Sequence, residues 1–247
     1  MTTKIRRPAS LAGTGNRLAK EIPARFTGAV RNHRSALTLV MIAMTAFGLL
    51  AVLAIGSEAT LLRFDRPVQA LLLDSRTEWL NRTMIWLTFL GTRYMIAAVA
   101  VGLLVWSWVT KRQQTFVLII VIAAVLNPVF EIGLKEVVDR VRPAADQLLP
   151  GNGPSFPSGH VVAAVGFYGL LPLLAWEATG KVWARFAALL GSAAVVVAVT
   201  VSRPYLDVHW TTDVIAGALL GIVLVVASYQ AYLRLPMQEP AAATSAA

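Results

Sequence analysis

The chain contains no cysteine among its 247 residues. It therefore has no disulfide framework, no thiol nucleophile and no cysteine ligand for a metal. Charge is also scarce, because 14% of the residues are charged and 57% are hydrophobic, whereas an average soluble domain carries roughly 25% charged residues. This balance indicates a membrane protein.

The net charge of +9 is concentrated at the N-terminus. Residues 1–35 contain eight Lys or Arg residues and a single acid, Glu21. A basic tail can bind nucleic acid, but nothing else in the chain indicates groove readout, and this tail directly precedes a long apolar run. We interpret residues 1–35 as a cytoplasmic juxtamembrane tail that is attracted to anionic lipids, and we expect no nucleic-acid partner.

Six uncharged and largely apolar stretches follow the tail. They are 36–56, 94–110, 113–130, 161–176, 186–202 and 214–233. A membrane span needs ~20 residues, which the first and last stretches reach alone; the others reach it if a flanking Lys or Arg snorkels to the interface. The first stretch is longer than the core of a signal peptide, which favours an uncleaved span. The sequence thus predicts an all-α, polytopic membrane protein whose domain, 36–233, has six transmembrane helices, with Pro172 interrupting the fourth.

The positive-inside rule places both termini in the cytoplasm. Thirteen basic residues then lie inside and nine outside, and the loops that follow spans three and five are extracytoplasmic. The outer segment 58–93 mixes charges with leucine and tryptophan, which is typical of interfacial helices, although a simple linker fits equally well. The alanine-rich end, 234–247, is expected to be disordered.

The loop after span three opens with Lys135 and Arg142. Seven residues is nearly two helical turns, so both side chains would project from one face of a helix that continues out of the span, until Pro143 ends it. Two such cations predict an anion site. The alternative is a snorkelling basic cluster in which Glu136, Asp139 and Arg140 form ordinary surface pairs.

The same loop ends with the stretch FPSGH, residues 156–160. Pro157 fixes the chain before Ser158, and Gly159 allows backbone amides to approach a ligand closely. Ser158 is suited to cap a helix that starts near Val161, and a helix N-terminus is suited to phosphate. The alternative is a capped turn whose histidine, His160, faces water.

The loop after span five contains Arg203, His209 and Asp213. His209 and Asp213 are four residues apart, so in a helix they would share a face, and the carboxylate could accept from one imidazole nitrogen and raise the basicity of the other. That arrangement serves covalent catalysis by a histidine nucleophile. Asp207 has the wrong spacing for this role. The alternative is a structural His–Asp hydrogen bond at the start of span six.

Together the three motifs resemble the signature of the type 2 phosphatidic acid phosphatase (PAP2) superfamily, membrane-bound lipid phosphatase branch. The matching positions are Lys135-x6-Arg142-Pro143, Pro157-Ser158-Gly159-His160 and Ser202-Arg203-x5-His209-x3-Asp213. Every position is filled, and the six-span pattern extends the resemblance over residues 36–233. All three motifs fall on the extracytoplasmic side.

The resemblance implies hydrolysis through a phosphohistidine. His209 would attack phosphorus, Asp213 would orient His209, and His160 would protonate the leaving oxygen. The residues that would hold the phosphoryl oxygens are Lys135, Arg142, Ser158, Gly159 and Arg203. Neither a metal nor another cofactor is implied, since three fixed cations neutralise the phosphate.

Membrane embedding and the resemblance imply a lipid phosphate substrate: phosphatidic acid, phosphatidylglycerol phosphate or a polyprenyl diphosphate such as undecaprenyl diphosphate. Three alternatives remain. One is a phosphotransferase on the same scaffold. Another is the vanadate-binding haloperoxidase branch, which is soluble. The third is a non-catalytic lipid-binding or transport protein.

Overall fold

The structure is a computed structural model, and it describes residues 28, 30–143 and 145–235, without the side chains of residues 129 and 130. Most of the predicted tails, 1–35 and 234–247, therefore lies outside the described residues. The described part contains helices and no strand. The helices are α1 (His33–Gly56), α2 (Glu58–Asp74), α3 (Glu78–Phe89), α4 (Arg93–Thr110), α5 (Gln114–Val138), α6 (Gly159–Tyr168), α7 (Leu170–Ala178), α8 (Val182–Tyr205) and α9 (Thr211–Arg234).

Six helical segments in the described part are long and apolar enough to cross a membrane. They are α1, α4, α5, α6 with α7, α8 and α9. This confirms the all-α, six-span prediction. The fourth span is interrupted at Gly169 and not at Pro172. Pro172 lies in the first turn of α7, where the missing N–H of proline removes no intrahelical hydrogen bond.

Segment 58–93 folds into the helices α2 and α3, which cover the end of α8. Gln69 of α2 donates to the carbonyl of Pro204 over 2.8 Å, and Arg76 donates to the carbonyl of Tyr205 over 2.6 Å. The hydroxyl of Tyr205 in turn donates to Asn81 of α3 over 2.7 Å. The segment is therefore a packed pair of helices; its position at the membrane surface stays a prediction.

Close packing of α6 against α9 sets the position of the functional loops. A Cβ added to Gly217 would lie 2.7 Å from the carbonyl oxygen of Ser158, and one added to Gly221 would lie 2.5 Å from the Cβ of Val165. Small residues let helix backbones approach in this way inside a membrane. The N-termini of α6 and α9 are consequently held side by side.

Candidate active site

The three motifs meet where the C-termini of α5 and α8 lie beside the N-termini of α6 and α9. The backbone N–H of Ser158 donates to the carbonyl of Asp213 over 3.1 Å, which joins the second motif to the third. Nη1 of Arg142 lies 3.2 Å from Nε2 of His209, which joins the first motif to the third. The structure therefore brings together residues that are 55 and 67 positions apart in the sequence.

Lys135 and Arg142 do not share a helical face, so that expectation is wrong. Helix α5 ends at Val138, and Asp139 takes a left-handed conformation with φ of 46°. Arg142 thus lies in a loop that turns back towards His209. Lys135 lies in the last turn of α5 and pairs with Glu131, one turn earlier, over 2.6 Å. Glu131 lies one helical turn before the motif that begins at Lys135, so the motif itself does not predict this acid as a partner.

Arg142 organises the loop that carries the second motif. Its guanidinium donates to the carbonyls of Asn152, Gly153 and Pro154 over 2.8–3.1 Å. The planar fork of arginine is suited to several simultaneous contacts of this kind. The remaining nitrogen of the Arg142 guanidinium, Nη1, faces the carbonyl of Val208 and the His209 ring.

Ser158 occupies the N-cap position of α6, as predicted, although the helix begins at Gly159 and not near Val161. Its hydroxyl makes no capping bond, is fully buried, and has no hydrogen-bond partner among the described residues. A buried hydroxyl without a partner costs free energy. The backbone amides of Gly159 and His160, the first two residues of the helix, also have no intrahelical acceptor, whereas those of Val161 and Val162 donate to the carbonyl of Ser158. Together these groups form a set of donors suited to an anion.

The hydrogen bonds of His209 define its tautomer. Nδ1 lies 2.8 Å from the carbonyl oxygen of Ser155. A carbonyl can only accept, so Nδ1 must carry the proton and Nε2 must carry the lone pair. Arg142, which can only donate, faces that lone pair. Nε2 is therefore the nucleophilic atom of this ring.

The surroundings of His209 keep its imidazole neutral. Burial lowers the pKa of His209 well below its ordinary value, and the cationic side chains of Arg203, Arg142 and Lys135 lower it further. The hydrogen bond to the Ser155 carbonyl acts in the opposite direction and is outweighed. The ring is thus a neutral imidazole close to three cationic side chains.

Asp213 does not hydrogen-bond directly to His209. Its Oδ2 lies 3.7 Å from Nδ1 of His209 and accepts instead from the backbone N–H of Trp210 over 2.9 Å. Helix α9 begins at Thr211, so His209 precedes the helix and the expectation of a shared helical face is wrong. Asp213 could therefore affect His209 in two ways: by fixing the backbone of residues 209–213, and by placing a negative charge near the imidazole.

Arg140 is a buried member of the site, not a surface residue. Its side chain has no exposure and donates to Asp213 over 2.6 Å and to Asp65 of α2 over 2.8 Å. Burial lowers the pKa of Arg140, but the charges and hydrogen bonds of the two carboxylates outweigh it and raise the pKa above its ordinary value. The sequence pattern does not predict this group, because its members are distant in the chain and Asp65 is one charge among many in an amphipathic segment.

Arg203 lies in the last turn of α8 and is only 7% exposed. Its Nη1 donates to the hydroxyl of Thr88 in α3 over 2.6 Å. Its Nε has no partner among the described residues. A buried guanidinium without a carboxylate partner is costly unless an anion joins it. Arg203 therefore has the properties expected of a phosphate ligand.

Asp207, which the sequence spacing set aside, has a structural role. It is fully buried and accepts from the side chain of Gln69 and from the backbone N–H of Asp146, each over 2.7 Å. These bonds fix the loop between α8 and α9 against α2 and the loop that follows α5.

His160 lies at the end of a cavity of about 740 Å³ between α4, α5 and α6. Its polar end is formed by Glu131, Lys135, Gly159 and His160. The remaining walls are largely apolar and include Ile96, Ala100, Val101, Leu104, Val121 and Val125. The cavity thus combines a charged end with an apolar channel between membrane-spanning helices.

No group of three or more His, Asp or Glu side chains among the described residues is placed to hold a metal ion. The charges around His209 come instead from guanidinium and ammonium groups.

Comparisons with known proteins agree with this arrangement. The family model described as "PAP2 superfamily" matches residues 116–236, which include all three motifs. The chain is 32% identical to phosphatidylglycerophosphatase B of Bacillus subtilis over 159 residues, covering 60% of this chain and 73% of the relative. It is 34% identical to undecaprenyl-diphosphatase of Sulfolobus acidocaldarius over 148 residues, covering 58% and 66%.

Solved structures show the same fold. The transmembrane PAP2-type phosphatidylglycerolphosphate phosphatase from Bacillus subtilis superposes with a TM-score of 0.74 at 24% identity, covering 81% of this chain and 98% of that structure. Aquifex aeolicus LpxE superposes with a TM-score of 0.54 at 23% identity, covering 68% and 95%. The resemblance inferred from the three motifs is thereby confirmed: the chain belongs to the PAP2 superfamily.

Proposed function

We propose that this PAP2-type membrane lipid phosphatase hydrolyses the phosphomonoester or diphosphate of a lipid through a phosphohistidine formed on His209. The observation that carries the proposal is the state of the His209 ring. Nδ1 is fixed by the Ser155 carbonyl, Nε2 bears the lone pair, and cationic side chains surround it. A neutral nucleophile beside cations that attract the phosphate meets the main requirements of phosphoryl transfer, which are positioning and charge neutralisation.

In the first step, Nε2 of His209 attacks the terminal phosphorus, and the bond from that phosphorus to the leaving oxygen breaks; this is the ester oxygen of a phosphomonoester or the bridging oxygen of a diphosphate. His160 donates a proton to that departing oxygen. The phosphoryl oxygens are held by Lys135, Arg142, Arg203, the Ser158 hydroxyl and the Gly159 amide. Ser158 and Arg203 support this assignment because each has a buried donor atom with no partner among the described residues.

In the second step, water attacks the phosphohistidine. His160 takes a proton from the water as its oxygen bonds to phosphorus, the N–P bond breaks, and inorganic phosphate leaves. His209 returns to its neutral form and His160 to its protonated form, so the cycle is balanced. Asp213 acts as a positioning residue, because Arg140 and the Trp210 amide hold it beside Nδ1 of His209.

The substrate class follows from the cavity and the relatives. The charged end of the cavity fits a phosphate, and the apolar walls of the cavity between α4 and α5 fit a hydrocarbon chain that enters from the membrane. The relatives are named for phosphatidylglycerol phosphate and undecaprenyl diphosphate. We therefore assign phosphatidic acid, phosphatidylglycerol phosphate and polyprenyl diphosphates as candidate substrates.

The site is assigned to the extracytoplasmic face of the cell membrane, with both termini cytoplasmic. If each of the six candidate spans crosses once, the loops that contain Arg142 and His209 lie on the side opposite both termini. The excess of basic residues in the N-terminal segment places the termini inside.

A panel of purified lipid phosphates and diphosphates, assayed for phosphate release in EDTA without an added acceptor, tests the proposal. Release of inorganic phosphate from at least one lipid in EDTA is expected. Transfer to an added alcohol with no release in its absence would indicate a phosphotransferase. Activity only after a divalent metal is restored would contradict the metal-free mechanism.

A further inference from the structure

The carboxylate of Glu131 lies where the proposed phosphate ligands converge. It pairs with Lys135 over 2.6 Å, and both side chains are largely shielded, with exposures of 21% and 18%. It also lies directly against the Cα of Gly159, because a Cβ added to that glycine would overlap the carboxyl carbon and both carboxylate oxygens. The acid therefore fills the space between the Lys135 ammonium and the N-terminus of α6.

A carboxylate in that place pairs with Lys135 and lies beside the N-terminus of α6, where a phosphoryl group would also bind. Both are anions that accept from an ammonium group and from amides at a helix N-terminus. The charge of Glu131 also reaches Arg142, where it partly offsets the lowering of the guanidinium pKa by burial. A phosphate brought to the same position would meet a second anion in contact distance, and that contact is strongly unfavourable in a shielded site.

Glu131 also lies on the path from the cavity to the site. It lines the charged end of the 740 Å³ cavity together with Lys135, Gly159 and His160. His209 does not line this cavity, so a lipid headgroup that reached His209 from the cavity would have to pass its charged end. The Glu131–Lys135 ion pair therefore lies both in the subsite and at the end of the cavity that leads to it.

We propose that Glu131 is an internal anion that occupies the Lys135 side of the phosphate subsite in the substrate-free protein and that the lipid phosphate must displace it. The proposal rests on the proposed function, since it names a specificity-determining residue of the same site. Binding then depends on the fraction of molecules in which the subsite is open. If that fraction is about one in ten, the apparent affinity for phosphate is about tenfold weaker than the open site would give.

The test is the substitution Glu131→Gln in the full-length protein. Glutamine has nearly the same shape but no charge, so the subsite no longer has a competing anion. The affinity for orthovanadate, measured as competitive inhibition and by calorimetry, should increase about tenfold, and the KM for the lipid should fall in parallel. The kcat should change less than twofold, because displacement precedes the chemical step.

Weaker or unchanged vanadate binding by Glu131→Gln would contradict the proposal. If Glu131 serves to position Lys135, Glu131→Gln weakens vanadate binding and raises KM, and the proposal is overturned. Unchanged vanadate affinity overturns it as well. Glu136→Gln is the matched control, since this exposed acid on the same helix has no ion pair with any residue that the structure describes. Its removal should leave both constants within twofold.

Two further measurements separate this proposal from the proposed function. Wild-type protein that releases no phosphate from any lipid would contradict the function, whereas calorimetric vanadate binding tests Glu131 without turnover. Thermal unfolding of both variants in detergent confirms that they are folded. Glu131→Ala provides a second route: it also removes the charge, so tighter vanadate binding is expected there too.

Discussion

Arg140 and Asp213 form a 2.6 Å salt bridge in which neither side chain is exposed. The bridge extends to Asp65, which accepts from Arg140 over 2.8 Å and from the hydroxyl of Thr212 over 2.7 Å. The carboxylate beside His209 is therefore anchored to α2, a helix outside the three motifs. Helix α2 thus helps to hold the first turn of α9 in place.

Replacing Asp65 by asparagine should destabilise the protein. The change leaves the Arg140 guanidinium buried with one carboxylate fewer, and loss of one partner from a buried ion pair costs about 3–5 kcal/mol. We expect a lower midpoint of thermal unfolding in detergent, and lower kcat even at temperatures where the variant remains folded.

The control for this change is Asp74→Asn on the same helix. Asp74 is exposed and forms no salt bridge among the described residues, so its loss should alter stability by no more than about 0.5 kcal/mol. Equal midpoints for the two variants would show that the buried network does not contribute to stability.

The six spans and the chemical identity of the motif residues could be predicted from the sequence, because both depend on local patterns. Span length follows from hydrocarbon thickness, and the structure places helices over all six apolar stretches. The residues at the phosphate site are likewise brought together, as the 3.2 Å approach of Arg142 to His209 illustrates. Their geometry was predicted less well, since the helical spacing assumed for Lys135 and Arg142 ends at Val138.

The contacts that were missed are those between distant segments. Asp65, which accepts from Arg140, comes from α2, and Thr88, which accepts from Arg203, comes from α3; a charge pattern alone could not assign either partner. Glu131 precedes the first motif by one helical turn, and its contact with Gly159 depends on the packing of α5 against α6. Such contacts follow from helix packing, which one sequence does not specify.

Removal of the nucleophile should abolish turnover. His209→Ala is expected to lower kcat by at least about 10⁴-fold, as loss of a nucleophile does in other covalent enzymes, while the protein still folds in detergent. Rapid acid-free quenching of wild-type protein with ³²P-labelled substrate should trap a base-stable, acid-labile phosphoprotein that the variant lacks. His33→Ala, at the opposite end of the fold, is the matched control and should retain activity. Full activity of His209→Ala would refute the covalent mechanism.

The ring of His209 should remain neutral across the physiological pH range. A free histidine titrates near pH ~6.5, but burial and neighbouring cations lower the pKa of His209 well below that. In protein labelled with ¹³C-histidine, the His209 signal should not shift between pH 8 and pH ~5.5, where a free histidine would be mostly protonated. Since the chain has three histidines, comparison with His209→Gln assigns the signal.

The lowered pKa of His209 also predicts how the stability of the folded protein changes with pH. A pKa that is lower in the folded state than in the unfolded chain stabilises the fold above pH ~6.5, and this contribution is lost as the pH falls. The unfolding midpoint of wild-type protein should therefore fall on acidification by more than that of His209→Gln. A His209 signal that titrates near pH ~6.5 would contradict the assignment of a neutral nucleophile.

Thr88 should act through Arg203. Thr88→Val removes the hydroxyl that accepts from Nη1 over 2.6 Å and leaves the guanidinium free to rotate. A hydrogen bond to a charged group contributes about 1.5–3 kcal/mol, so kcat/KM should fall roughly 10-fold or more. Thr88→Ser retains the hydroxyl and should restore most of the activity. Thr83→Val on the same helix, whose hydroxyl donates only to its own helix, should have no comparable effect.

The orientation can be tested because the native chain has no cysteine. Asn152→Cys adds one thiol to the exposed loop beside the site, where the Arg142 contact uses only the Asn152 backbone carbonyl. Gly180→Cys adds one to the turn between α7 and α8, where a Cβ meets no neighbour within 4 Å. A membrane-impermeant maleimide should label Asn152→Cys in intact cells and Gly180→Cys only after permeabilisation. The reverse pattern would place the active site in the cytoplasm, and with it the phosphate that the enzyme releases.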